Sequence, residues 1–263
     1  MYLRPLSTLC SDVSLRRVMP EAASRLGSHP VCSSYLKLKM SMSRRFAQNF
    51  TWHEIHEVYD LAGSARNLAG QGDIEPTATV CTVAAPLAAK NTLIAMRWGL
   101  VPAWWSKSLG DLPPTFNVHA RRLTEPIFLS AFKRNRCIIP ASGYFEWKTV
   151  PPETKEPFYI SAVDGGVLSI AGVWDEWNDI DTGDIVLSCS MIITSANEFM
   201  RPVHNRMPAL LKEKDFEPWL SGAAGAEVLR PAEEDYLRMS RVSSCLSRGG
   251  GADDPTLITA LAK

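Results

Sequence analysis

No stretch of the 263-residue chain approaches the ~18 consecutive apolar residues a membrane-spanning helix requires, which argues against a helical membrane protein. Net charge is missing too. The 28 basic and 28 acidic side chains cancel, and a neutral total taken alone argues against a phosphate-bearing partner. Cysteines are few and scattered: Cys10, Cys32, Cys81, Cys137, Cys189 and Cys245 form no CxxC pair and no cluster with histidine. Neither a zinc site nor a dense disulfide scaffold is indicated, and a reducing cytoplasm fits best. There is no GxGxxG, no phosphate-loop motif, no β-α-β rhythm and no internal repeat, which argues against a nucleotide-binding doubly wound fold.

What is present is a globular composition with 46 % hydrophobic residues. The zero net charge is also unevenly made. Residues 1–41 carry +4, residues 42–148 carry +4 and residues 149–263 carry −8. The middle block holds Arg44, Arg45, Arg97, Arg121, Arg122, Lys133, Arg134 and Arg136, interleaved with Trp98, Trp104, Trp105 and Trp147. Cations that track phosphates beside rings that stack on bases suit single-stranded nucleic acid. The same residues also suit a tryptophan core under a solvated basic face.

Residues 1–41 are rich in Ser and Arg without periodicity and read as an N-terminal extension, or as the product of a start placed ahead of Met40 or Met42. From Thr51 the pattern becomes regular. Thr51 and Glu54 form a capping box, and Trp52, Ile55, Val58, Tyr59 and Leu61 give one helical apolar face. Strands are predicted at Thr92–Trp98, Cys137–Ile139, Tyr144–Trp147, Phe158–Val163, Val167–Trp174 and Ile185–Thr194. Helices are predicted at Ile127–Lys133, Glu213–Leu220 and Pro231–Met239, and Ser247–Asp254 reads as a loop. The class is α+β, with a mostly antiparallel sheet.

Two residues stand out chemically. Glu146 lies within Gly143-Tyr144-Phe145-Glu146-Trp147-Lys148, where flanking rings would desolvate a carboxylate and suit it to proton transfer near neutral pH. Strand alternation leaves a second reading open, an edge glutamate turned away from Phe145 and Trp147. His204 lies in Arg201-Pro202-Val203-His204-Asn205-Arg206-Met207-Pro208, a polar loop of the kind that carries catalytic groups.

These segments together resemble the SOS-response-associated peptidase family, whose members shield abasic sites in single-stranded DNA. The resemblance runs from Met42 to about Ile258. It rests on Arg45-Phe46-Ala47-Gln48, Arg97-Trp98-Gly99-Leu100-Val101-Pro102 with Trp104-Trp105, and Phe116-Asn117 ahead of Ala120-Arg121. It continues through Arg136-Cys137-Ile138-Ile139-Pro140-Ala141 into the Glu146 segment, then Ile193-Thr194, His204 with Arg206-Met207-Pro208, and Asp253-Asp254-Pro255. The resemblance implies one domain over residues 42–258 with a barrel-like β core, flanking helices and a groove for single-stranded DNA, followed by a tail at 259–263. It implies that an N-terminal cysteine attacks the ring-opened sugar with its α-amine and closes a thiazolidine with its thiol. Glu146 and His204 then match the acid/base positions and Asn117 the group that orients the sugar. Arg45 and Arg121 match phosphate contacts, Trp104 and Trp105 rings near the DNA path, and Thr194 a further DNA-side position.

The sequence departs from that pattern where it matters most. Ser43 stands at the place of the family cysteine and Arg44 at that of a glycine. A serine hydroxyl supplies no thiolate, so impaired crosslinking is expected. Asp73-Ile74-Glu75-Pro76 puts carboxylates where the family has Asn-Val-Ala-Pro, and Val118 and His119 interrupt an Asn-Ala-Arg run. The expected partner is single-stranded DNA containing abasic sites. The expected protein is a monomer without metal, cofactor or membrane, cytoplasmic and nucleoid-associated when bound to DNA. A non-catalytic single-stranded-DNA-binding module is the alternative. A peptidase using Ser43, His204 and Glu146 ranks below both.

Overall fold

Most of the β-branched and aromatic runs become strands, and the way they pair decides where the polar residues meet. The computed structural model describes residues 44–85, 90–152 and 154–242. Ser43, the boundaries expected at 41/42 and 258/259, the Ser247–Asp254 loop and Asp253-Asp254-Pro255 lie outside the described residues.

The elements run β1 (Phe46–Gln48), α1 (Trp52–Tyr59), β2 (Gln71–Ile74), β3 (Thr79–Ala84), β4 (Thr92–Trp98), β5 (Asn117–His119), α2 (Pro126–Arg134), β6 (Arg136–Ala141), β7 (Gly143–Val150), β8 (Thr154–Ala162), β9 (Leu168–Asn178), β10 (Ile185–Ser195), β11 (Arg206–Pro208), α3 (Phe216–Ser221) and β12 (Leu237–Arg241). Strands β10, β4, β3, β6 and β9 pair in that order, and β9 pairs back onto β10 to close a five-stranded barrel. Among the described residues only the pairings of β10 with β4 and with β5 are parallel. A second, antiparallel sheet has the order β12-β8-β7-β1-β2. The fold is thus α+β, with a barrel core, mostly antiparallel pairing and helices beside it.

Period-two alternation sends each barrel strand into two cores. Ile138 of β6 packs with Val83, Leu93, Val173 and Ile192 against α1, α2 and α3, including Ile55, Phe128 and Trp219. Its neighbours Cys137 and Ile139 face the other way, into a cluster with Met96, Trp98 and Met191 from the barrel and Phe46, Ile74, Tyr144 and Ile160 from the second sheet. Cys137 and Cys189 are fully buried, small apolar groups whose thiols burial pushes up, that of Cys189 to about 12.

The capping box forms as predicted. Thr51 Oγ1 accepts from the Glu54 N–H, and the Glu54 carboxylate accepts from the Thr51 N–H at 2.6 Å and from its hydroxyl at 2.9 Å, bonds that hold the Glu54 pKa below its ordinary value. Val58 departs from the expected apolar face and is 39 % exposed. The segment predicted as one helix from Glu213 is a 3-10 turn, Glu213–Asp215, leading into α3, which Gly222 ends at φ +83°.

The helix predicted at Pro231–Met239 does not form. Its backbone and side chains are committed elsewhere. The Ala232 and Glu233 carbonyls accept from Asn197 Nδ2, and the Glu234 carboxylate takes the N–H groups of Glu198 and Phe199. Leu237–Arg241 is instead an edge strand paired along β8. Tertiary hydrogen bonds outweigh a modest local helix preference here.

Gln48 joins the two sheets. Its Nε2 donates to the Cys81 and Pro140 carbonyls, each at 2.8 Å, and its Oε1 accepts from the Cys81 N–H at 2.9 Å, with the residue 3 % exposed. Gln48→Leu keeps the bulk and strands buried backbone groups on β3 and β6. We expect a loss of about 2 kcal/mol in urea unfolding with the slope unchanged, and no shift of the midpoint would show that Gln48 does not anchor β1.

Candidate functional site

Around Ile193 the last stretch of β10 is flanked on both sides. Along one edge Met191, Ile192 and Ile193 pair in parallel with Asn117, Val118 and His119. Along the other, Ile193, Thr194 and Ser195 pair with Pro208, Met207 and Arg206. Asn117, Thr194 and the turn that carries His204 are thereby brought to one end of the barrel. Asn117 is half-buried, while Thr194 is 6 % and His204 8 % exposed.

The His204 ring is oriented by its own turn. The His204 backbone N–H donates to the Met200 carbonyl at 3.0 Å, and the ring Nδ1 accepts the Arg206 N–H at 3.1 Å. A backbone N–H can only donate, so Nδ1 carries the lone pair in the neutral ring and the proton sits on Nε2. The Arg206 carbonyl lies 3.3 Å from the same Nδ1 and can accept from it once the ring is protonated. Both charge states therefore keep a backbone partner, as a proton carrier needs.

Glu146 arrives from the second sheet. It is 3 % exposed and sits opposite Phe158 on β8, with Oε2 accepting from the Trp147 N–H at 3.3 Å. Burial overturns the reading of an edge glutamate turned to solvent. Alternation puts Tyr144 on the same face, and its phenol is pushed well up, first by burial and then by the Glu146 charge. The Tyr144 hydroxyl has no hydrogen-bond partner among the described residues. Tyr144 packs in one apolar floor with Phe46, Trp98, Ile193 and Met207, against which Phe116 and Val203 also rest. Asn117 follows Phe116, and His204 follows Val203. The floor thus adjoins the segments that carry Asn117, Glu146, Thr194 and His204.

Cations rim this end. Arg44, the first described residue, is exposed and lies 5.6 Å over the Phe116 ring, one residue from Asn117. Arg121 is exposed on the 3-10 turn after β5, and its N–H donates to His119 Nδ1 at 3.3 Å. Burial depresses the His119 pKa, and the charges of Arg121, Arg206 and Arg122 depress it further. Arg122 is partly neutralised by Glu125 at 2.7 Å. Arg45 is held differently: Nη1 donates to Asp73 at 3.0 Å, Nη2 pairs with Glu75, and the guanidinium lies 6.0 Å from the Trp147 ring.

Trp104 and Trp105 sit on the loop that follows β4. Their loop is tied down where Val101 N–H meets Ser188 Oγ at 2.8 Å and Ala103 N–H meets the buried Asp175 carboxylate at 3.0 Å. Trp177 Nε1 donates to the Trp105 carbonyl at 2.6 Å. The result displays Trp104, 54 % exposed, while Trp105 is half-buried. The loop's anchor at Ser188 lies five steps along β10 from Ile193, about 17 Å at the strand rise. Sequence reasoning missed Asp175, Ser188 and the Tyr144 hydroxyl. Asp175 and Ser188 act through contacts with residues distant in the chain, which no local pattern reports, and the burial of the Tyr144 hydroxyl is likewise set by packing between sheets.

Among the described residues no group of three or more His, Cys, Asp or Glu is placed to hold a metal ion, and no helix is long and apolar enough to cross a membrane. A cavity of about 710 Å³ bordered by Leu211, Lys212, Phe216, Glu233 and Tyr236 shares none of its lining with the cluster.

A family profile described as SOS response associated peptidase matches residues 42–248. The abasic site processing protein YoaM of Bacillus subtilis is 30 % identical over 217 residues, covering 78 % of this chain and 93 % of that one. YoqW of the same organism, also named an abasic site processing protein, is 32 % identical over 163 residues, 60 % of this chain and 72 % of its own. The abasic site processing protein HMCES of Xenopus tropicalis is 29 % identical over 153 residues, 50 % of this chain and 45 % of its own. Among solved structures, a Bacteroides thetaiotaomicron protein superposes with a TM-score of 0.74 at 23 % identity, covering 82 % of this chain and 99 % of that one. A Bordetella bronchiseptica protein gives 0.66 at 23 % identity, covering 76 % and 99 %.

The cationic rim makes a direct prediction for His119. With its pKa below the ordinary 6.5, the unfolded chain takes up the proton first as pH falls from 7, so this residue's contribution to stability is lost on acidification. An NMR titration should place the His119 midpoint below 6.5, and Arg121→Gln should move it up. A midpoint at or above 6.5 would contradict the rim.

Proposed function

The chain belongs to the SOS response associated peptidase family, and from that premise we propose that it processes abasic sites in single-stranded DNA, with covalent capture weakened by Ser43. The observation that supports this reading is that the segments carrying Asn117, Glu146, Thr194 and His204 adjoin one apolar floor, with Arg44 over Phe116 and Arg121 and Arg206 near His119. The names of the relatives support the substrate class.

The chemistry follows from the groups available. An abasic deoxyribose opens to an aldehyde, and a primary amine adds to its carbon to give a carbinolamine. Loss of water then leaves an imine. The first step needs a group to accept the ammonium proton, and the second needs a group to protonate the leaving hydroxyl. Glu146 and His204 take these two proton-handling roles, and the Asn117 amide holds the sugar hydroxyls in place. Only a chain that begins at Ser43 carries an α-amine there. The Ser43 hydroxyl can close an oxazolidine, a weaker trap than the thiazolidine a thiol gives, so the attachment stays reversible.

A second reading has its own support in the displayed Trp104 and the serine at the nucleophile position. In it the protein binds single-stranded DNA without reacting. A denaturing gel with a single-stranded abasic oligonucleotide separates the two, using protein whose first residue is Ser43. We expect no heat-stable adduct without reductant, an adduct with borohydride, and its loss in Glu146→Gln with oligonucleotide affinity retained. An adduct that survives heat without reductant would refute weakened capture. No borohydride adduct at all, with affinity intact, would leave the non-reacting reading.

A further inference from the structure

We infer that Asp73 and Glu75 occupy Arg45 in place of a phosphate, so that Arg45 clamps the N-terminal strand and makes no contact with DNA. The inference rests on the proposed function for its DNA arm and on geometry alone for its structural arm.

The two terminal nitrogens of Arg45 are taken by different carboxylates, Nη1 by Asp73 Oδ2 at 3.0 Å and Nη2 by Glu75 Oε1. Alternation on β2 explains why both acids are available. Ile74 turns into the core, 2 % exposed, so Asp73 and the following Glu75 share the opposite face. The Trp147 ring lies alongside the guanidinium, and the Arg45 carbonyl accepts the Phe145 N–H at 3.0 Å. Arg45 therefore ties the start of β1 to β2 on one side and β7 on the other.

Charge and burial set the preference. Two carboxylates around one guanidinium leave a local excess of one negative charge, which repels a phosphate. The Asp73 side chain is 6 % exposed and the Arg45 side chain 15 %. Asp73 Oδ1 is buried without a hydrogen-bond partner among the described residues, so Arg45 is the main compensation for that carboxylate. Moving Arg45 onto a DNA phosphate would leave a buried carboxylate largely uncompensated, a costly exchange. Glu75, 59 % exposed, adds the outer half of the clamp. The clamp also lies at the strand end that continues into Arg44 over Phe116, so its second effect is to steer the chain toward Asn117.

Two measurements test this. In anisotropy titrations of an unmodified single-stranded oligonucleotide over a salt series, Arg45→Gln should leave the slope of log K against log salt unchanged. The pair Asp73→Asn with Glu75→Gln should release Arg45, raise affinity severalfold at low salt and steepen the slope by about 0.7, the value of one added single-strand phosphate contact. Glu75→Gln alone, at an exposed position that cannot threaten folding, should give a smaller gain. A slope already flattened by about 0.7 in Arg45→Gln would overturn the inference. Thermal unfolding needs no DNA. Arg45→Gln should lower Tm in the parent and cost about 2–4 °C less once Asp73 is Asn, whereas additive effects would overturn the clamp. If neither the parent nor the released variant binds the oligonucleotide, the DNA function fails while the thermal cycle still decides the clamp.

Discussion

The pairing of β10 along both of its edges is the constraint on which the rest of the structure depends. Its first half joins β9 to β4 and closes the barrel, and its second half carries β5 and β11. A strand bonded on both edges exposes no unpaired ladder, so its end is a rigid base for side chains. Asn117, Thr194 and His204 come from three separate parts of the chain, and β10 brings their segments to one end of the barrel. Glu146 reaches the same floor from the other sheet, which Gln48 holds to β3 and β6.

Neutral total charge proved to be a poor guide to electrostatics. The local arrangement of cations counts for more. Arg121 and Arg206 crowd His119, whereas Arg45 is matched by two carboxylates and Arg136 is buried. Arg136 sits between the Phe132 and Trp219 rings and donates to backbone carbonyls, linking α2, β6 and α3. Identical residue types thus do three kinds of work, on a surface rim, in an ion-pair clamp and as a core tie.

The tryptophans divide in the same way, between the core and an exposed loop. Trp98, Trp177 and Trp219 are core residues whose indole N–H groups each find a carbonyl, of Phe116, Trp105 and Cys137. Trp104 is displayed on a loop that Asp175 and Ser188 hold from beneath. Buried indoles need a hydrogen-bond acceptor, and meeting that need is what ties the loops down.

The sequence by itself determined the class, the long strands and the capping box of α1, because alternation, β-branching and caps are local signals. It also carried the family, since ordered motifs survive in one dimension. Only the tertiary structure decided the three-residue strands β1, β5 and β11, too short to show a period, and the strand in place of a helix at Leu237–Arg241. It alone decided that Glu146 is buried and that Arg45 faces Asp73 and Glu75. Those outcomes depend on contacts between residues some thirty to a hundred positions apart, and closing the barrel is what sets such contacts.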